Sequence, residues 1–248
     1  MLRLLIAILF AGFVTSSAVL SQTRSAEPMT DKSFPRDQNV RGDKRKEKIT
    51  FRPPLRGAPT RRIGGASRSP GVPSVSLVVF ASEDTGLTIH AQPSLYWFLS
   101  KKTDRPIELT LIDPKAIQPV LKTVLDGSNE SGLHEISLAV YGVELNPNVE
   151  YEWAVSLVIE PRRRSRDVVS SGTIRRILPA PGMNYRFDQL SETARGRFYA
   201  RSGLWYDAMA AVSRAIARHP ADRSLREERA SLLRQVGLSD YIDLVDGQ

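Results

Sequence analysis

The sequence predicts an α+β chain in which the two kinds of structure follow one another: a β-sandwich of immunoglobulin-like size, then a three-helix segment resembling a single tetratricopeptide unit. Three observations carry this. Between Val75 and Ile177 apolar residues recur with period two, and turn residues divide the stretch into seven short runs. No helical pattern interrupts them. After Pro179-Ala180-Pro181-Gly182 the period becomes 3.6. A small barrel is the alternative closure for the same strands.

The chain opens on Met1-Leu2-Arg3, an apolar run from Leu4 to Val14, and then small residues. This order reads as a signal peptide over residues 1–21, with the mature chain beginning between Val19 and Glu27. An uncleaved anchor is the other reading, but the run falls short of the roughly 20 residues a span needs. No second run of that kind follows, so no transmembrane helix is expected after cleavage. The expected location is periplasmic or extracellular. The chain has no cysteine, which excludes a lipidated cysteine, a disulfide and thiol catalysis.

Residues 22–73 read as a basic, disordered linker, rich in Arg, Lys, Pro and Gly. Segment 31–70 holds twelve basic and four acidic side chains, which leaves +8, the whole net charge of the 248-residue chain. The high isoelectric point therefore belongs to this segment rather than to the domains. It reads as a solvated spacer or as an electrostatic tether to an anionic surface. Phe34 and Phe51 are its only aromatics, too few for a base-stacking groove, and no nucleic-acid partner is expected.

The β-domain is placed at residues 74–180. Its clearest strand is Glu150–Glu160, where Tyr151, Trp153, Val155, Leu157 and Ile159 alternate with a mixed set, Glu152, Ala154, Ser156, Val158 and Glu160. Ile107, Leu109 and Leu111 alternate in the same way, as do Ile136, Leu138 and Val140. Val75–Phe80, Leu95–Leu99, Val120–Leu125 and Asp167–Ile177 complete the set. Leu95, Tyr96, Trp97 and Phe98 are apolar on both faces. Their strand is either central, covered by the sandwich and by the helices, or it presents Tyr96 and Phe98 as a surface patch.

The helical segment is placed at residues 183–248. Its first helix begins near Asp188 or Ser191 and runs to about Arg201. Leu204, Ala208, Ala211, Val212, Ala215 and Ile216 form one stripe of the second, which Pro220 stops. Ser224 and Glu227 fit a capping box for the third, and Gly237-Leu238 fits a Schellman stop. Gly196, Tyr199, Gly203, Trp205, Ala208, Val212, Ala215 and Pro220 match a tetratricopeptide frame. One hairpin is too little for a solenoid, so it either docks on the β-domain or offers a peptide groove.

The motifs Arg61-Arg62-Ile63-Gly64-Gly65-Ala66-Ser67-Arg68, Gly86-Leu87-Thr88, Gln92-Pro93-Ser94-Leu95-Tyr96-Trp97-Phe98, Tyr151-Glu152-Trp153 and Tyr199-Ala200-Arg201-Ser202-Gly203-Leu204-Trp205-Tyr206-Asp207-Ala208 carry a resemblance. From about Arg56 to Leu238 the chain resembles the bacterial domain-of-unknown-function family nine-two-eight. The resemblance implies export and a β-domain followed by helices. It implies no activity, so no catalytic residue is carried over. Members often hold two cysteines, one before the first strand and one at the end of the Trp strand. Ile159 occupies the second place here, and the region of Ser69-Pro70 lacks the first. If that pair is a disulfide elsewhere, packing replaces it in this chain.

Chemistry-bearing motifs are few. His90, His134 and His219 lie on separate elements, none at metal-ligand spacing, and neither a metal nor a cofactor is expected. No nucleophile elbow, P-loop or dinucleotide fingerprint occurs. Arg162, Arg163, Arg164 and Arg166 crowd one expected hairpin tip and are anion-binding candidates, against the reading of a solvated loop. No catalytic residue is named. The favoured function is a non-enzymatic envelope module binding a protein or an anionic polymer. The alternative is a hydrolase of envelope polymers using loop acids such as Asp84, Asp104 or Asp113. The sequence leaves the oligomeric state open.

Overall fold

Alternation of apolar and polar residues builds two separate sheets. The structure, a computed structural model, describes residues 48–54, 62, 64–66, 75–127, 129–179 and 190–246. The expected signal peptide, its cleavage site and residues 22–47 lie outside the described residues. Among the described residues the strands are β1 (Gly65–Ala66), β2 (Ser76–Val79), β3 (Gly86–Thr88), β4 (Ser94–Leu99), β5 (Ile107–Ile112), β6 (Leu121–Val124), β7 (Gly132–Ser137), β8 (Glu150–Leu157) and β9 (Val168–Arg176). One sheet has the order β1-β2-β4-β7 and is antiparallel throughout. The other has the order β3-β9-β8-β5-β6, antiparallel except for the parallel β3–β9 pair.

Register decides which side chains are enclosed. Leu109 and Leu111 of β5 stand opposite Val155 and Trp153 of β8, which stand opposite Ser170 and Gly172 of β9. These share a face, and Leu109, Leu111, Trp153 and Val155 are fully buried. Leu77 and Val79 of β2 stand opposite Leu99 and Trp97 of β4, also fully buried. The two faces meet where the Val79 amide donates to the Ser170 hydroxyl at 3.0 Å.

The strand expectations need three corrections. The alternation through Val140 stops at Ser137, because Leu138–Tyr141 is a 3-10 turn with Val140 79% exposed. The Trp strand ends at Leu157 rather than Glu160. β1 and β3 have only two and three residues, too short for any period to register.

Four helices follow among the described residues: α1 (Glu192–Arg201), α2 (Trp205–Arg218), α3 (Arg223–Gln235) and α4 (Ile242–Asp246). Ser191 caps α1 by accepting the Ala194 amide. Gly203 and Gly237 take φ of 75° and 69° and close Schellman turns, with Leu204 donating to Tyr199 and Leu238 to Leu233. The cap of α3 is Asp222, which accepts the Ser224 amide at 2.8 Å, so the expected Ser224 box is displaced by two residues. α4 was not expected; five residues show too little period.

The largest correction concerns the stretch read as linker. Ile49 and Phe51 are 2% and 7% exposed, and the Phe51 ring meets Trp205 edge-on at 5.2 Å. The Arg52 amide donates to Ala200 O at 3.0 Å. Arg62 donates to Ala81 O and Val236 O, both at 2.9 Å, joining sheet to helix. Burial pulls its guanidinium below the ordinary value, opposed by Glu83 and Tyr241. Residues 48–54, 62 and 64–66 are thus part of the fold. Two apolar side chains and one arginine suffice for docking, which a composition argument overlooks.

Candidate functional site

The four loop arginines sit at the β8–β9 tip, as expected, around a 3-10 turn at Arg164–Arg166. Most of their charge is spent within the fold. Arg164 donates two bonds to Glu108, at 2.9 and 2.6 Å, and its Nε lies 2.8 Å from Asp167. Those bonds hold the Glu108 carboxyl below the usual range and raise Arg164. Arg166 and Arg163 lie 3.1 and 3.8 Å from Glu160. Arg162 alone has no ion pair among the described residues. The cluster therefore clasps its own hairpin to β5.

Tyr96 and Phe98 do not form a surface patch. They are 3% and 2% exposed, because helices cover the outer face of β4. Tyr241 stacks tilted on Phe98 with centroids 5.8 Å apart, and Ser213 and Arg214 of α2 lie over Tyr96. Burial and the neighbouring Glu135 raise the Tyr96 phenol.

What holds the helices there is the start of α2. Three consecutive residues reach four different strands or strand ends. Trp205 Nε1 donates to Phe80 O at 2.8 Å. Tyr206 donates to Thr173 O at 2.9 Å and accepts from Trp153 Nε1 at 2.8 Å. Asp207 accepts the Thr88 hydroxyl at 2.7 Å and the Ile89 amide at 2.9 Å. A β-carbon on Gly86 would lie 2.5 Å from the Tyr206 ring, so only glycine admits this approach.

Above Asp207 lies a second convergence of charge. His90, its side chain 53% exposed, places Nε2 at 3.7 Å from Asp207 Oδ1. Partial burial and the guanidiniums of Arg214, Arg195 and Arg176 hold its imidazole below the ordinary value. Those arginines come from α2, α1 and the end of β9. Arg176 also donates to Leu145 O, and Arg195 to Leu190 O. Glu192 offers the accessible carboxylate, 4.0 Å from Arg214 and 3.0 Å from Arg218. Asp207 is 2% exposed, and burial lifts its carboxyl to about 7 against the bonds from Thr88 and Ile89. The sequence had no means to join His90 to Arg176 and Arg214; only the presence of a lone His near a Gly-Leu-Thr motif marked the place.

The acids proposed for hydrolysis do not converge. Asp104 and Asp113 lie beyond opposite ends of β5, whose six residues span about 20 Å. Asp84 precedes β3, three strands from β5 and so about 14 Å across the sheet. Among the described residues no three His, Cys, Asp or Glu could hold a metal ion. No described helix is long and apolar enough to cross a membrane. No curated protein matches the sequence. The family model called Domain of Unknown Function (DUF928) matches residues 57–244, most of the chain, and the protein therefore belongs to that family.

Proposed function

We propose that this family member is a non-enzymatic binding module for an anionic partner, engaged through the arginines around His90. The two-sheet body is read as a sandwich of immunoglobulin-like size, and the α1–α2 hairpin as a single tetratricopeptide-like unit that docks rather than forms an array. One observation supports the binding role above the rest. Arg176, Arg195 and Arg214 act together on a half-exposed imidazole, and the carboxylate beneath it is sealed. Guanidinium groups on separate elements match planar or tetrahedral oxyanions well. An envelope polymer is the partner this reading favours, and it keeps export as part of the proposal.

The test uses the full chain and dextran sulfate as the polyanion. Binding should weaken at least tenfold in an Arg195→Gln, Arg214→Gln variant and fall steeply with salt. Binding should also strengthen as pH falls through the depressed range of His90, because a bound anion favours the imidazolium. Equal binding by parent and variant would overturn the role of this surface. A second reading, hydrolysis, is favoured by the His90–Asp207 pairing, since a buried carboxylate can orient an imidazole. Turnover of a polymer lost in His90→Gln, with binding intact, would replace the first reading by the second.

A further inference from the structure

The three most exposed large apolar side chains among the described residues all lie at one end of the two-sheet body. Ile117 is 98% exposed, Val140 79% and Leu178 61%. Ile117 stands on the loop joining β5 to β6, Val140 on the turn after β7, and Leu178 just beyond β9. Backbone bonds tie these places together. Leu138 donates to Pro93 O and Leu145 to Ala91 O, which fixes the β7–β8 connection against the one from β3 to β4. Asn148 donates to Arg176 O and Ile177 to Thr88 O, so the exit of β9 joins them. Ile112, the last residue of β5, stands opposite Glu152 near the start of β8. His90, between β3 and β4, belongs to this same end. At the opposite end lies the β8–β9 tip, where Arg163, Arg164 and Arg166 are paired with acids.

Lone exposed apolar residues are ordinary, but these three share one end and stand on separate loop tips. Their spacing decides the kind of partner. From the exit of β9 to the β5–β6 loop the sheet advances two to three strands, about 10–14 Å. A stable protein interface needs a packed patch of roughly 800 Å² a side. The residues around Ile117, from Pro114 to Val120, are all exposed and build no such floor. A fluid lipid interface admits each tip separately. Irregular backbone cannot enter the acyl core with its polar groups unpaired, so the loops stop among the headgroups and only the side chains go further. Charge fits the same partner. Lys115 lies two residues before Ile117, and Arg176 two before Leu178. Arg195 and Arg214 flank His90 together with Arg176. These loops carry two acids, Asp113 and Glu144, and Glu192 is offset by Arg218 at 3.0 Å. The excess is positive, and anionic headgroups attract Lys and Arg held near their surface.

We propose that this end of the body docks on a membrane surface bearing anionic lipids, with Ile117, Val140 and Leu178 entering the acyl boundary and Lys115, Arg176, Arg195 and Arg214 meeting the headgroups. The proposal rests on the anion-binding reading of those arginines and adds an apolar half to it. The apolar run Leu4–Val14 and the basic segment 31–70 would hold the chain on vesicles by themselves, so the readout is depth at the tips rather than sedimentation. The chain has no cysteine. Full-chain variants Ile117→Cys, Val140→Cys, Leu178→Cys and, at the opposite end, Ser165→Cys therefore each take one environment-sensitive NBD label. On vesicles of equal parts phosphatidylglycerol and phosphatidylcholine, the first three labels should shift to the blue and be quenched by lipid spin-labelled near the headgroup, while the Ser165 label does neither. Phosphatidylcholine alone should produce no shift, and adding Arg195→Gln, Arg214→Gln should raise the lipid needed about tenfold. Unshifted tip labels on chains that sediment with the vesicles, or an equal shift at Ser165, overturn the proposal. Dextran sulfate binding that stays sensitive to Arg195 and Arg214 would then show the anion site standing without the membrane. A blue shift caused by dextran sulfate without lipid would put a polymer over the tips and overturn membrane docking as well.

Discussion

Asp207 shows how far one side chain can be moved from its ordinary chemistry by its neighbours. It sits at the start of α2, where the dipole favours a negative charge, and two donors satisfy it. Burial outweighs both and raises its carboxyl to about 7 from 3.8. A folded-state value above the unfolded one means the folded chain binds the proton more tightly. Its contribution is therefore fully present below pH 4 and is lost as pH rises through 7, by on the order of 4 kcal/mol. Asp207→Asn has no proton to lose. We expect the variant to match or exceed the parent in stability at pH 8 and to fall behind toward pH 4, measured by urea denaturation. Identical pH profiles would mean that the carboxylate is ionised at no cost. Trp153 makes a simpler case. It is fully buried and donates to Tyr206. Trp153→Ala should cost roughly 3–5 kcal/mol; a loss below 1 kcal/mol would contradict its place between the sheets.

Among elements, the helices and the 48–54 strap behave as parts of the β-body. The outer face of β4 is apolar because helices cover it, and the expectation of coverage on both faces holds while that of a patch does not. Removal of residues 183–248 takes away Trp205, Tyr206 and Asp207 and leaves Tyr96 and Phe98 facing water. The 74–182 fragment should aggregate and bind a hydrophobic dye; a monomeric fragment of equal stability would show two independent parts. The strap makes a separate prediction. Phe51→Ala should destabilise the chain by about 3 kcal/mol, the low end for an emptied Phe site because a strap can collapse inward. Arg62→Gln should also destabilise, since it leaves the Ala81 and Val236 carbonyls without their donor. Were both variants as stable as the parent, the strap would be a spacer after all.

For the molecule as a whole, the prediction is export. It rests on Arg3 and the apolar run from Leu4 to Val14. N-terminal sequencing of protein from the native host should begin between Val19 and Glu27; a cytoplasmic protein retaining Met1 would refute it. What the amino-acid order determined by itself is local in origin: the period-two strands, the change to period 3.6, the stop at Pro220, the Schellman turn at Gly237, and the family motifs. Each depends on residues a few positions apart, whose steric and burial preferences act without the rest of the chain. Tertiary structure alone decided what the charges do. Arg164 is neutralised by Glu108, 56 residues away, and Arg62 ends on Val236, 174 residues away. His90 gains its three arginines only when β9, α1 and α2 are packed. Coulomb energy and desolvation depend on separation in space and on burial, and neither quantity is written in the order of residues.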